Sequence, residues 1–261
     1  MTLTPSDAAV RSRAAERLAA LATPPGALGR LGDLALWLAA AQGTCPPEPV
    51  QNVRLVIFAG DHGVATHGVS AFPPAITGAM VRTFLAGKAG VSALANAHGV
   101  AVRVLDIGVD EEFADLDAAA RTRLQQHKVR RGSGAIHLED ALTAEQTEQA
   151  LAAGAAVAAE EIAAGAGLLI SGDMGIGNTT PAAALVAAGL GLPAGEVTGR
   201  GTGIDDAAWR HKSAVVEAAL RRAGDRVADP RQCLQALASA DLAATSAAAG
   251  VVFPMPMSPL I

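Results

Sequence analysis

A chain of 261 residues can bury one large core with an appendage, and at 51% hydrophobic and only 17% charged it is too apolar for intrinsic disorder. Lys plus Arg number 20 against 25 Asp plus Glu, a net charge of −5, and the sole basic run is Lys128 to Arg131, so no nucleic-acid surface is expected. The isolated Cys45 and Cys233 supply neither a disulfide framework nor a CxxC metal or redox site, which fits a reducing cytoplasm.

The first residues, MTLTPSDAAVRSRAAERLAAL, are broken by charges and lack the apolar core of a signal peptide. Residues 1–50 read as an N-terminal helical region. Short apolar runs then alternate with alanine-rich helical ones, the pattern of an α/β protein with a parallel, Rossmann-like sheet flanked by helices. Strands are expected at Val53–Phe58, Val100–Ile107 and Leu168–Ser171. Thr143 with Gln146 forms a capping-box pattern that opens a helix at about Ala144 and ends near Gly165. Thr180 before Pro181 reads as N-cap and first helical residue, with a stop at Gly189 or Gly191. Asp205 or Asp206 caps a helix running to Gly224, and Asp229 before Pro230 begins another. The parallel α/β ligand-binding domain is assigned to 51–228, and 229–261 to a C-terminal helical region with an atypical apolar tail. Three uncharged stretches, His62–Val81, Met174–Gly195 and Leu242–Ile261, each carry internal Pro and Gly, so no membrane-spanning helix is expected.

In open α/β sheets ligands sit beyond the carboxyl ends of the strands, so the loops there carry the chemistry. The strongest is GDMGIGNTT, Gly172–Thr180, a glycine-rich turn between a strand and a helix N-terminus. Gly175 and Gly177 let backbone N–H groups approach an anion, and Asn178, Thr179 and Thr180 add side-chain partners. Its glycine spacing resembles a Walker A loop, but Asn178 stands where the lysine belongs, which argues against a nucleoside triphosphate and for a monophosphate. The bland alternative is a tight turn. A second loop, GRGTGIDD, Gly199–Asp206, offers flexible amides at Gly201 and Gly203 and a guanidinium at Arg200 for a carboxylate or phosphate. Lys212 either points back along its helix to that ligand or is a solvated helix charge. A third, AGDHGVATHGVSAFPPAIT, places Asp61 and His62 at a strand end, and Ser70, Phe72 and Pro73 as the wall of a flat aromatic pocket. His62 and His67 have poor spacing for a metal and read as ordinary loop histidines. No metal or other cofactor is expected. A dinucleotide-binding reading fails because no GxGxxG follows the first strand.

Together PPGALGRL (Pro24–Leu31), FAGDHGVATHGVSAFP (Phe58–Pro73), GDMGIGNTT and GRGTGIDD, in that order, resemble the nicotinate-nucleotide:dimethylbenzimidazole phosphoribosyltransferases of cobalamin lower-ligand synthesis. The resemblance runs from about residue 20 to about residue 245. It implies transfer of ribose 5-phosphate from nicotinate mononucleotide to 5,6-dimethylbenzimidazole, giving α-ribazole 5′-phosphate and nicotinate. It also implies a homodimer without metal, whose large sheet domain is joined by a smaller helical one that includes residues 1–50. The pyridinium of the nucleotide is already a good leaving group, in keeping with that chemistry. By the family pattern Gly175, Ile176, Gly177, Asn178 and Thr179 hold the phosphate with Arg200 and Lys212, and the amides of Gly201 and Gly203 face the nicotinate. Ser70 and Phe72, with Asp61 and His62, border the base, and Asp173 stabilises the developing ribosyl cation. Asp173 stands where the family has a glutamate. The family's catalytic glutamate lies in a segment with no counterpart here, and Gly250–Ile261 reads as a truncated or frameshifted end. The alternative is a non-catalytic mononucleotide- or benzimidazole-binding protein derived from this family.

Overall fold

Residues 6–250 are described by the computed structural model, and the chain divides into two units, Met1–Gln51 and Asn52–Ile261. The first holds α1 (Ala8–Ala19) and α2 (Arg30–Gln42). Asp7 caps α1 by accepting from the Val10 amide at 3.0 Å, and Val10 and Ala14 pack on Ala39 of α2. PPGALGRL lies here and contributes to a cavity of about 390 Å³ internal to this unit.

The second unit runs β1 (Val53–Gly60), α3 (Ile76–Leu85), α4 (Gly90–Ala97), β2 (Ala101–Gly108), α5 (Ala118–Leu124), α6 (Ala144–Ala163), β3 (Leu168–Met174), α7 (Thr179–Leu190), α8 (Ala194–Val197), α9 (Asp206–Ala223), α10 (Pro230–Leu237) and α11 (Ala240–Ala248). The described strands form one parallel sheet in the order β2-β1-β3. Beyond Arg54, β1 is a continuous apolar run because both of its faces are covered, as expected of a central parallel strand. Val56 and Phe58 enter a core with Leu105, Ile107 and residues of α6, α7, α9, α10 and α11, while Leu55, Ile57 and Ala59 face Val81 of α3, Phe113 and Leu124 of α5.

The capping box is present: Thr143 Oγ1 accepts from Gln146 N at 3.2 Å and Gln146 Oε1 from Thr143 N at 3.0 Å. Asp205, Asp229 and Ser239 cap α9, α10 and α11. The strands extend past their expected ends, β1 to Gly60 and β3 to Met174, because pairing with neighbours continues through the glycines. The start of α7 also differs from expectation. The helix begins at Thr179 with Asn178 at the N-cap, and the Asn178 side chain bonds Asp173 rather than the helix amides. Thr180 thus lies in the first turn.

Helices α10 and α11 belong to the same unit as the sheet, with Leu237, Ala240, Ala243 and Ala244 in its main core. α11 crosses α6 so closely that a Cβ at Gly154 would overlap the Ala244 carbonyl oxygen. Beyond Gly250 the apolar tail lies outside the described residues. Among the described residues, no helix is long and apolar enough to cross a membrane.

Candidate active site

Parallel pairing brings the carboxyl ends of β1 and β3 side by side, with Phe58 opposite Asp173 and Ala59 opposite Met174, so the loops that follow must meet. They enclose a cavity of about 580 Å³ lined by Ser70, Phe72, Gly175–Thr179, Gly201 and Thr202, with an apolar wall of Val69, Ile76, Met80 and Met174. Loops two and three are tied together by Thr202, whose Oγ1 accepts from the Ala71 amide at 3.0 Å and lies 3.4 Å from Ser70 Oγ.

The turn into α7 is held from below. Ile176 N donates to the buried Thr77 Oγ1 of α3 at 3.1 Å, so this one amide of the loop is already engaged within the protein. The N–H groups of Gly177 and Thr179 make no hydrogen bond to another described residue, which leaves two donors at the positive end of a twelve-residue helix. Gly177 has φ +89°, a conformation that side chains resist, and a Cβ there would lie 3.1 Å from Ala65 Cβ.

Lys212 is buried within α9, not a solvated charge. Its Nζ donates to Thr179 Oγ1 at 2.7 Å and sits 3.0 Å from where a Cβ of Gly201 would be, directly behind the cavity wall. Burial pushes its amine below the ordinary lysine value. Among the described residues this buried ammonium has one neutral partner and no counter-charge, and the cavity that Thr179 lines offers a place for one.

Several expected site residues stand elsewhere. Arg200 pairs with the Asp206 carboxylate and donates to the Ile204 carbonyl at 3.0 Å, so its guanidinium closes its own loop. Gly203, at φ +80°, shapes that turn without lining the cavity. Asp61 borders a different cleft of about 780 Å³, shared with Arg82, Glu111, Arg130 and Arg131, because the chain turns away after β1; His62 also borders it, but its ring is buried beneath the Gly175 turn. Asp61 accepts from the Asp110 amide at 2.9 Å, and burial pushes its carboxyl up. His67 packs edge-on against His137 at 4.5 Å and does not join His62.

Asp173 does not line the cavity either. Its Oδ1 accepts from Asn178 Nδ2 at 2.5 Å, and its Oδ2 is shut from solvent without a donor. It turns toward Asp241 of α11, which is fully buried, and Asp241 Oδ2 lies 3.4 Å from His62 Nε2. Burial, then the charge of Asp241, raises the Asp173 carboxyl well above the usual range. Burial opposes ionisation of Asp241 as well, but the neighbouring His62 and the side chains of Asp173 and Ser239 outweigh it and hold that carboxyl below its ordinary value. The structure thus turns the Asp173 carboxyl toward Asn178 and Asp241 rather than into the cavity where a ribosyl cation would form. His62, Asp173 and Asp241 are the one set among the described residues whose ligating atoms gather within 4.8 Å, close enough for a cation. Sequence reading weighs His62 as a metal ligand only with His67. It also passes over Thr77, Met80, Thr202 and Asp241; Thr202 lies inside a quoted motif, whereas Asp241 looks like any acid in a first helical turn.

A family model described as phosphoribosyltransferase matches residues 3–253. A nicotinate-nucleotide–dimethylbenzimidazole phosphoribosyltransferase of Mycolicibacterium paratuberculosis is 53% identical over 93% of this chain and 68% of its own length. One from Mycobacterium marinum is 51% identical over 91% of this chain and 65% of its own length. The crystal structure of CobT from Thermus thermophilus superposes with a TM-score of 0.81 at 41% identity, covering 93% of this chain and 73% of that one. The chain thus spans about two thirds of the length of these curated relatives.

Proposed function

The chain belongs to the nicotinate-nucleotide–dimethylbenzimidazole phosphoribosyltransferase family, and from that premise we propose that it transfers ribose 5-phosphate from nicotinate mononucleotide to 5,6-dimethylbenzimidazole. The products are α-ribazole 5′-phosphate and nicotinate, so the reaction is a glycosyl transfer in cobalamin lower-ligand synthesis. The observation that carries the reading is Lys212, a buried ammonium behind Thr179 with open amides of Gly177 and Thr179 beside it. That set of donors suits one phosphate group. Ser70, Phe72, Met80 and Met174 offer a flat, largely apolar wall for the aromatic base, and Gly201 faces the nicotinate end. In solution the chain is read as a cytoplasmic homodimer; the family resemblance supports the dimer, and the two free cysteines fit the cytoplasm.

One observation favours a second reading, a non-catalytic binder. Among the described residues lining the cavity none is a carboxylate, and Asp61 opens onto the other cleft, so no described side chain at the wall takes the benzimidazole proton. General-base help is worth about 10²–10⁴-fold. Calorimetry with nicotinate mononucleotide and with its riboside tests phosphate recognition, and equal affinity for the two sinks it. An assay of α-ribazole phosphate formation, by this chain and by one extended with the family's remaining segment, separates the readings. Comparable turnover favours the enzyme without the extension; binding with turnover only on extension favours the binder.

A further inference from the structure

We propose that Asp241 and His62 are positioning residues for the nucleotide loop, acting through a single proton shared between the carboxyl groups of Asp173 and Asp241. The nucleotide part of this inference rests on the proposed function; the proton-sharing part stands on the geometry.

Three side chains from distant parts of the chain meet under the Gly175–Asn178 turn. Asp241 has no solvent exposure, and neither of its carboxylate oxygens nor Asp173 Oδ2 receives a hydrogen bond from a donor in the structure. Two carboxyl groups facing one another out of water cannot both be ionised, and the arrangement is satisfied when one of them donates to the other. Asp173 is the donor: His62 lies on the Asp241 side, favouring the charge there, while burial keeps the proton on Asp173. The proton then sits on Oδ2, and Oδ1 remains free to accept from Asn178, as observed at 2.5 Å. Asn178 is the N-cap of α7, and this bond prevents it from folding back onto the helix amides, which leaves them facing the cavity.

Two glycines are spent on this contact. A Cβ on Gly60, the last residue of β1, would overlap Asp241 Oδ1, and a Cβ on Gly175 would overlap His62 Nε2 and the Gly60 carbonyl. Gly175 is therefore glycine to admit His62 beneath the turn, a reason separate from close approach of phosphate above it. The ionisable groups facing the pair are His62 and, beyond it, Asp61, both from the loop after β1. α7 contributes the neutral Asn178, and Ser239 stands at the start of α11.

The test is carboxyl and side-chain amide NMR of the intact chain across pH, beside calorimetry with nicotinate mononucleotide. In the wild type the Asp173 carboxyl carbon is expected to titrate in one step above the ordinary carboxylate range, with the Asn178 amide moving at the same midpoint. In Asp241→Asn the new amide donates to Asp173, so its step falls by about one pH unit or more and nucleotide affinity drops about tenfold. His62→Gln shifts both in the same direction and serves if Asp241→Asn does not fold. An ordinary Asp173 titration in the wild type overturns the inference. So does an Asn178 amide and affinity unchanged in the variants, or stoichiometric binding of Zn²⁺ or Mn²⁺ that Asp241→Asn abolishes. A wild type that binds no nucleotide refutes the proposed function alone, because the titration still decides whether the proton is shared.

Discussion

Lys212 Nζ reaches Thr179 Oγ1 at 2.7 Å from within α9, joining that helix to the first residue of α7. Lys212→Met is expected to weaken nicotinate mononucleotide binding about 10–100-fold, the scale of a hydrogen bond to a charged group. The same variant should melt higher at neutral pH without ligand, since it removes a charge with no counter-charge. Burial lowers the folded-state value of this amine, so the wild type gains stability as pH rises from that value toward the unfolded one, and the variant's advantage shrinks in alkali. Thermal melts with and without phosphate at neutral and alkaline pH check both; phosphate should protect only the wild type.

Gly177→Val should abolish nucleotide binding and leave helical circular dichroism nearly unchanged. Valine at φ +89° is strained, and its Cβ would press on Ala65, displacing the open amide at the turn. Normal binding by this variant would reduce the loop to a simple turn.

Gly154→Ala offers a case where local propensity and packing disagree. Alanine favours the helix by about 1 kcal/mol, but its methyl would overlap the Ala244 carbonyl oxygen. Since α11 can yield only by moving off α6, a net loss of about 1–3 kcal/mol is expected from urea denaturation. A gain in stability would show that the two helices are free to separate.

Glu161 is buried at the end of α6, accepting from Arg54 Nε at 2.7 Å and Arg103 Nη1 at 2.9 Å, one arginine from β1 and one from β2. Burial alone would raise its carboxyl, but the two guanidiniums hold it below the ordinary value. Its folded-state value being depressed, the stabilisation is present above the unfolded value of about 4.3 and lost as pH falls through the folded one. Glu161→Gln is therefore expected to cost about 1–3 kcal/mol at pH 7 and little in acid. Denaturation curves whose difference is the same at both pH values would contradict this.

What sequence reading captures, and where it fails, follow from the range of the forces involved. The strands, the Thr143 capping box and the Asp205 and Asp229 caps are local signals, written within a few residues, and the structure contains them. Which loop residues share a cavity depends on where the chain turns after each strand. Sequence reading puts Asp61 and Ser70 in one base-binding wall, yet the turn after β1 sends them to different clefts. Asn178 takes the cap position expected of Thr180, and its side chain bonds Asp173, which lies beside Asp241 of the distant α11. No window around residue 173 contains that information.

The placement of Asp241 against Gly60 also bears on how the protein is made. A ribosome emits β1 and its loop long before α11, and β3 with the glycine turn still precedes residue 241. Until α11 docks, Asp173 and His62 lack the Asp241 carboxyl that lies beside them in the folded chain. The most distant contacts in the unit are also those that finish the loop, and contacts of long sequence separation form late. A nascent chain released from synthesis before residue 241 would carry every glycine-rich motif intact and still lack the support that sets their geometry.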